Sequence, residues 1–91
     1  RLETIFFDFF GSNRPSAISD IRGKGGMLAI ELEPDVSDRD IVVLHKKIKD
    51  KGILVLPAGE DGHVIELTPP LVIDEDDFKR ALGVISGCIS Q

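Results

Sequence analysis

Cysteine, methionine and histidine are all scarce in these 91 residues, with one cysteine, one methionine and two histidines. A lone thiol, Cys88, cannot close an internal disulfide. Small secreted domains are usually dense in cysteine, so a cytoplasmic setting is expected. No apolar run approaches the ~18 residues that span a bilayer, and no basic-then-apolar leader is present, so no membrane association is expected. A basic surplus is also missing. Eleven Lys and Arg stand against sixteen Asp and Glu, for a net charge of −5. Such a chain gains nothing from neutralising phosphates, so no nucleic-acid partner is expected. The densest basic stretch, Lys46, Lys47, Lys49 and Lys51, falls at the end of a predicted helix, where cations complement the helix dipole.

What is present suits one globular domain. The apolar share of 42% and the charged share of 30% are ordinary, and apolar periodicity runs almost to the last residue, which excludes disorder. A chain of this length buries only about 60–65% of its unfolded surface and is marginal alone.

The pattern of elements reads as follows. Leu2, Ile5, Phe6, Phe9 and Phe10 have helical spacing, and Gly11, Ser12, Asn13 and Pro15 end that helix. Beginning at Arg1, it looks like the tail of a longer helix. Phe7 cannot share its buried face, so it packs on a neighbouring loop or on something absent. Ile18 to Arg22 suits a short strand, followed by a glycine turn at Gly23, Gly25 and Gly26. Met27 to Glu33 alternates as a half-buried strand does. Ser37 is a good N-cap for a helix with Ile41, Leu44, His45 and Ile48 on one face, closed by Gly52. The continuous apolar run Ile53 to Leu56 suits a strand buried on both faces. Pro57 to Gly62 reads as a loop, and Val64 to Leu67 as the hairpin partner. Asp74 caps a last helix striped with Phe78, Ala81, Leu82, Ile85, Cys88 and Ile89. The predicted class is α+β, a mostly antiparallel sheet of three to four strands with helices packed on one face.

The chemistry-bearing candidates are weak. Gly23-Lys24-Gly25-Gly26 lacks the phosphate-loop pattern and precedes a strand. Neither His45 nor His63 sits in a cluster with metal-ligand spacing, so no metal is expected. His45 reads as a boundary residue and His63 as an exposed turn residue. Asp74 to Asp77 lacks the calcium-loop alternation and is explained by its place at a helix start. None of the lysines has a local signal for Schiff-base chemistry. The residues alone leave function open.

Three motifs in order add a resemblance. They are Asp20-Ile21-Arg22-Gly23-Lys24-Gly25-Gly26-Met27-Leu28-Ala29-Ile30-Glu31-Leu32, then Gly52-Ile53-Leu54-Val55-Leu56-Pro57-Ala58-Gly59, then Gly62-His63-Val64-Ile65-Glu66-Leu67-Thr68-Pro69-Pro70-Leu71 running on to Asp77. From Ile18 onward the chain resembles the C-terminal small domain of class III (fold type I) pyridoxal-phosphate aminotransferases. The resemblance implies one domain over 1–91, with 1–17 the end of a connecting helix and loop. It implies a pyridoxal phosphate cofactor held by a large domain of the same chain, where the cofactor lysine lies. This segment would then bind no cofactor, carry no catalytic residue and be inactive alone. A homodimer and a small-molecule amine or amino-acid substrate are also implied, with the Pro69-Pro70 corner and the Ala58-Gly59 loop nearest the large domain.

The family often grips the substrate carboxylate with an arginine where this chain has Glu66. Gly26, where the family usually has Leu or Met, is a smaller departure. Three readings of Glu66 follow. It meets an ammonium or hydroxyls of a different substrate, it marks a relative with altered or lost activity, or it is a solvent-facing strand residue. Arg22 is the other candidate for substrate binding, or else an anchor for the glycine turn. The alternative to an enzyme domain is a stand-alone binding module that shares the topology without the cofactor.

Overall fold

The computed structural model describes every residue except Asn13, Gly25, Leu71 and Gln91. Asn13 of the predicted helix stop, Gly25 of the predicted glycine turn and Leu71 of the third motif therefore lie outside the described residues. The elements run α1 (Leu2–Ser12), β1 (Ile18–Lys24), β2 (Met27–Leu32), α2 (Asp38–Asp50), β3 (Leu56–Ala58), a 3-10 turn (Glu60–Gly62), β4 (Val64–Leu67) and α3 (Glu75–Ser90). The strands form one antiparallel sheet in the order β1-β2-β4-β3. Strands β2 and β3 therefore run the same way with β4 between them, and α2 makes the crossover. This is the expected α+β class.

Local chemistry sets the helix ends. The Ser37 side chain accepts from the Asp40 amide at 3.1 Å, which satisfies one of the unpaired donors at the start of α2. Gly52, at φ +84°, turns the chain away after Lys47 and Lys49. Asp74 accepts from the Asp77 amide at the start of α3 at 3.4 Å.

Alternation in the strands then splits the sheet into two faces. Leu28, Ile30 and Leu32 of β2 and Ile65 and Leu67 of β4 are buried. They join Leu2, Ile5, Phe6 and Phe10 of α1, Ile41, Leu44 and Ile48 of α2, and Phe78, Leu82, Ile85, Cys88 and Ile89 of α3 in one core. No polar or charged residue is buried among the described residues. Cys88 sits in this core, as its place on the apolar stripe predicts. Phe7 stays on the rim, edge-on to Phe6 and close to Gly23.

β1 carries a bulge between Ile18 and Asp20, and Arg14 donates to the Ser19 carbonyl at 2.5 Å beside it.

One element departs from expectation. Residues 53–55 are not in a strand, and β3 begins only at Leu56. β3 is an edge strand with a single partner, so the apolar run is not sandwiched. Leu54 is 83% exposed and Leu56 55% exposed. The segment read as a loop is also more ordered, since Pro57 and Ala58 pair with Ile65 and Val64 and a 3-10 turn follows.

That tight connection depends on Gly59. Its φ of 70° and ψ of −178° lie in a region open essentially to glycine, and a Cβ there would meet Val64 Cγ2 at 3.0 Å. Gly59→Ala is expected to cost about 1–3 kcal/mol, read as a lower midpoint in urea unfolding.

Candidate functional site

The face of the sheet opposite the helices is uncovered, and both candidate residues lie on it. Strand register aligns them in one row. Arg22 of β1 stands opposite Ala29 of β2, Ala29 opposite Glu66 of β4, and Glu66 opposite Leu56 of β3. Neighbouring strands lie about 4.8 Å apart, so Arg22 and Glu66 are separated by roughly 10 Å at the backbone. Only the methyl group of Ala29 stands between them, so a ligand can lie over it and touch both.

The two differ in availability. Arg22 Nη1 donates to Glu31 Oε1 at 2.5 Å and to Asp20 Oδ2 at 3.0 Å. These hydrogen bonds, that to Glu31 first, raise its already high pKa further. The guanidinium is thus tied between two carboxylates on its own face, and its charge is spent there. The Glu31 pair joins β1 to β2, while the Asp20 pair lies within β1. All three side chains are 40–54% exposed, so the network contributes little. Arg22→Met is expected to lower unfolding stability by less than about 1 kcal/mol, checked by urea denaturation.

Glu66 is half-buried. Among the described residues it has no ion pair, which leaves its carboxylate on the open face without a protein cation. A half-buried carboxylate flanked by Ala29 and Leu56 favours a cationic or hydroxylic ligand and repels a carboxylate. Ala29 and Leu56 escaped sequence reasoning as site neighbours because register alone brings them to Glu66.

Both histidines serve the connections. His45 Nε2 lies 3.1 Å from the Gly62 carbonyl oxygen, and its Nδ1 is buried with no hydrogen-bond partner among the described residues. His63 Nε2 lies 2.8 Å from the Val36 carbonyl oxygen. His63 is half-buried, contrary to its reading as an exposed turn residue, because the 3-10 turn folds it back toward the start of α2. Beside the Pro69-Pro70 corner, Leu54, Leu67, Ile73 and Phe78 line an apolar groove of about 410 Å³. Among the described residues no helix is long and apolar enough to cross a membrane.

Comparison with known proteins identifies the family. The family profile described as Aminotransferase class-III matches residues 11–89. Ornithine aminotransferase of Saccharomyces cerevisiae is 37% identical over 76 residues, covering 79% of this chain and 17% of its own length. Acetylornithine aminotransferase of Bacillus subtilis is 37% identical over 73 residues, covering 80% of this chain and 17% of its own. The solved ornithine aminotransferase of Toxoplasma gondii, whose active site holds PLP at partial occupancy, superposes with a TM-score of 0.78 and 32% identity. That superposition covers 99% of this chain and 21% of the other. The chain thus spans about a fifth of the length of the proteins it matches. These matches favour the aminotransferase reading over a binding module. With a profile match over most of its residues and a superposable fold, the chain belongs to the class III aminotransferase family.

Proposed function

We propose that this chain is the C-terminal small domain of a pyridoxal-phosphate-dependent class III aminotransferase, and that it closes over the substrate without carrying the cofactor. The observation that carries the reading is the family match over residues 11–89 in a chain that spans only 17% of a curated relative.

The cofactor fits poorly on this segment by itself. Its covalent chemistry needs a desolvated lysine, and Lys24, Lys46, Lys47, Lys49, Lys51 and Lys79 are all exposed. The cofactor therefore belongs to a large domain of the same polypeptide, and the 91 residues alone are inactive. The exposed Leu54 and Leu56 and the groove beside Pro69 and Pro70 fit a surface that the large domain covers. Residues 1–17 are the end of the connecting helix and its loop. The whole protein is a homodimer in the cytoplasm that transfers an amino group from a small amine or amino acid.

In this chain Glu66 is the residue that faces substrate. Its carboxylate receives an ammonium or hydroxyl group, where a guanidinium would receive a carboxylate. Arg22 does not take over that role, because Glu31 and Asp20 already hold it. Of the three sequence readings of Glu66, the first is the one its half-buried, unpaired state supports.

A visible absorbance scan of the longer gene product tests the proposal. A cofactor band bleached by amines or amino acids supports it. No band, or bleaching of a band in the 91-residue chain alone, overturns it.

A further inference from the structure

Asp38 opens α2, Asp61 lies in the 3-10 turn and His63 precedes β4. The first two lie 23 positions apart in sequence, so no spacing rule connects them. Folding brings one donor atom from each within 4.8 Å of the others. We propose that these three side chains form a site for an imidazole-accepting divalent ion such as Zn²⁺, distinct from the open sheet face.

The donor set selects the class. An imidazole with two carboxylates suits Zn²⁺ and its neighbours, while Mg²⁺ and Ca²⁺ prefer shells made wholly of oxygen. Metal–ligand bonds of about 2.0–2.1 Å at tetrahedral angles place donors roughly 3.4 Å apart. Asp38 and Asp61 are exposed and can rotate to close that gap, with water as the fourth ligand.

His63 supplies an independent reason. Its Nε2 lies 2.8 Å from the Val36 carbonyl, outside the cluster. Donation to that oxygen fixes the tautomer and leaves the Nδ1 lone pair for a metal, the arrangement metal-binding histidines ordinarily show. Asp61 and His63 also line a cleft of about 480 Å³ with Glu60 and Glu31, which admits a hydrated cation. The start of α2 opposes a cation with about half a positive charge, but two carboxylates outweigh it. A bound ion would tie the 3-10 turn to the start of α2 and stabilise both by mass action.

The test is calorimetric titration of Zn²⁺, with Mg²⁺ in parallel, into the longer gene product and its Asp38→Asn, Asp61→Asn and His63→Gln variants. Imidazole ¹⁵N shifts of His63 and His45 are followed alongside. The expected result is saturable Zn²⁺ binding at one site, no Mg²⁺ binding, a shift at His63 and not at His45, and affinity at least about tenfold weaker in each variant. The two aspartate variants alter exposed side chains, so they remain informative if His63→Gln fails to fold. Absent binding, or binding that Asp38→Asn and Asp61→Asn leave unchanged, overturns the site.

Discussion

Phe6→Ala is expected to cost the chain about 3–5 kcal/mol of folding stability. Phe6 is fully buried and stands edge-on to Phe7 and Phe10, with ring centroids 5.5 and 5.3 Å away. The substitution removes an aromatic side chain and both ring pairs, and the surrounding core can close the cavity only in part. A 91-residue domain has in total about 5–14 kcal/mol of stability, so from roughly a fifth to all of it goes. Phe7→Ala on the same helix is the control, since Phe7 is 38% exposed and its loss should be small. Urea unfolding of the two variants separates burial from helix propensity. Equal, small losses would mean that α1 is an appendage. The result also bears on domain limits, because the family profile begins at residue 11 while α1 gives Leu2, Ile5, Phe6 and Phe10 to the core.

The second large effect is expected at Glu66 and rests on the proposed function. In the longer protein, Glu66→Arg should reverse the preference between amine donors and donors with a carboxylate at that end. Leaving a desolvated charge unpaired costs about 2 kcal/mol or more, roughly thirtyfold in kcat/KM for the disfavoured donor. Ala29 and Leu56 beside it offer no carboxylate to capture the new guanidinium, and Glu31 and Asp20 are already engaged by Arg22. Glu66→Gln should weaken amine donors without gaining the others. Donor preference that is the same in all three proteins would show that the position faces only solvent. Loss of all activity in every variant, with the cofactor band retained, would instead indicate that closure had failed.

Most of the fold was legible because its core is amphipathic in a regular way. The alternation of Leu28, Ile30 and Leu32 and the helical stripe from Phe78 to Ile89 each bury the face their period predicts. Ser37 and Gly52 mark the ends of α2 as capping chemistry requires. The run Ile53 to Leu56 misled because an apolar run records that something covers it, and not which partner does so. In this chain β4 pairs with Leu56, while Leu54 stays largely exposed. Of the site, the motif exposed Glu66 and Arg22 as positions. Their common row across Ala29 is a property of strand register, and the capture of Arg22 by Glu31 depends on the β1–β2 pairing. The approach of Asp38 to Asp61 and His63 is likewise tertiary, with no local signal to announce it.

The two rims of the sheet, described above as a bulged strand and a short one, also govern how the molecule meets its own copies. A sheet grows by adding a strand to an open edge that offers a regular series of backbone donors and acceptors. On the β3 side the paired strand is just Leu56–Ala58, and Pro57 has no amide to donate. On the β1 side the bulge breaks the series, Arg14 occupies the Ser19 carbonyl, and Asp20, Arg22 and Lys24 bring charge along the strand. Each rim thus ends the hydrogen-bonded series by a different device. The exposed apolar groups of this chain are for that reason a hazard of face-to-face sticking and not of strand-by-strand growth.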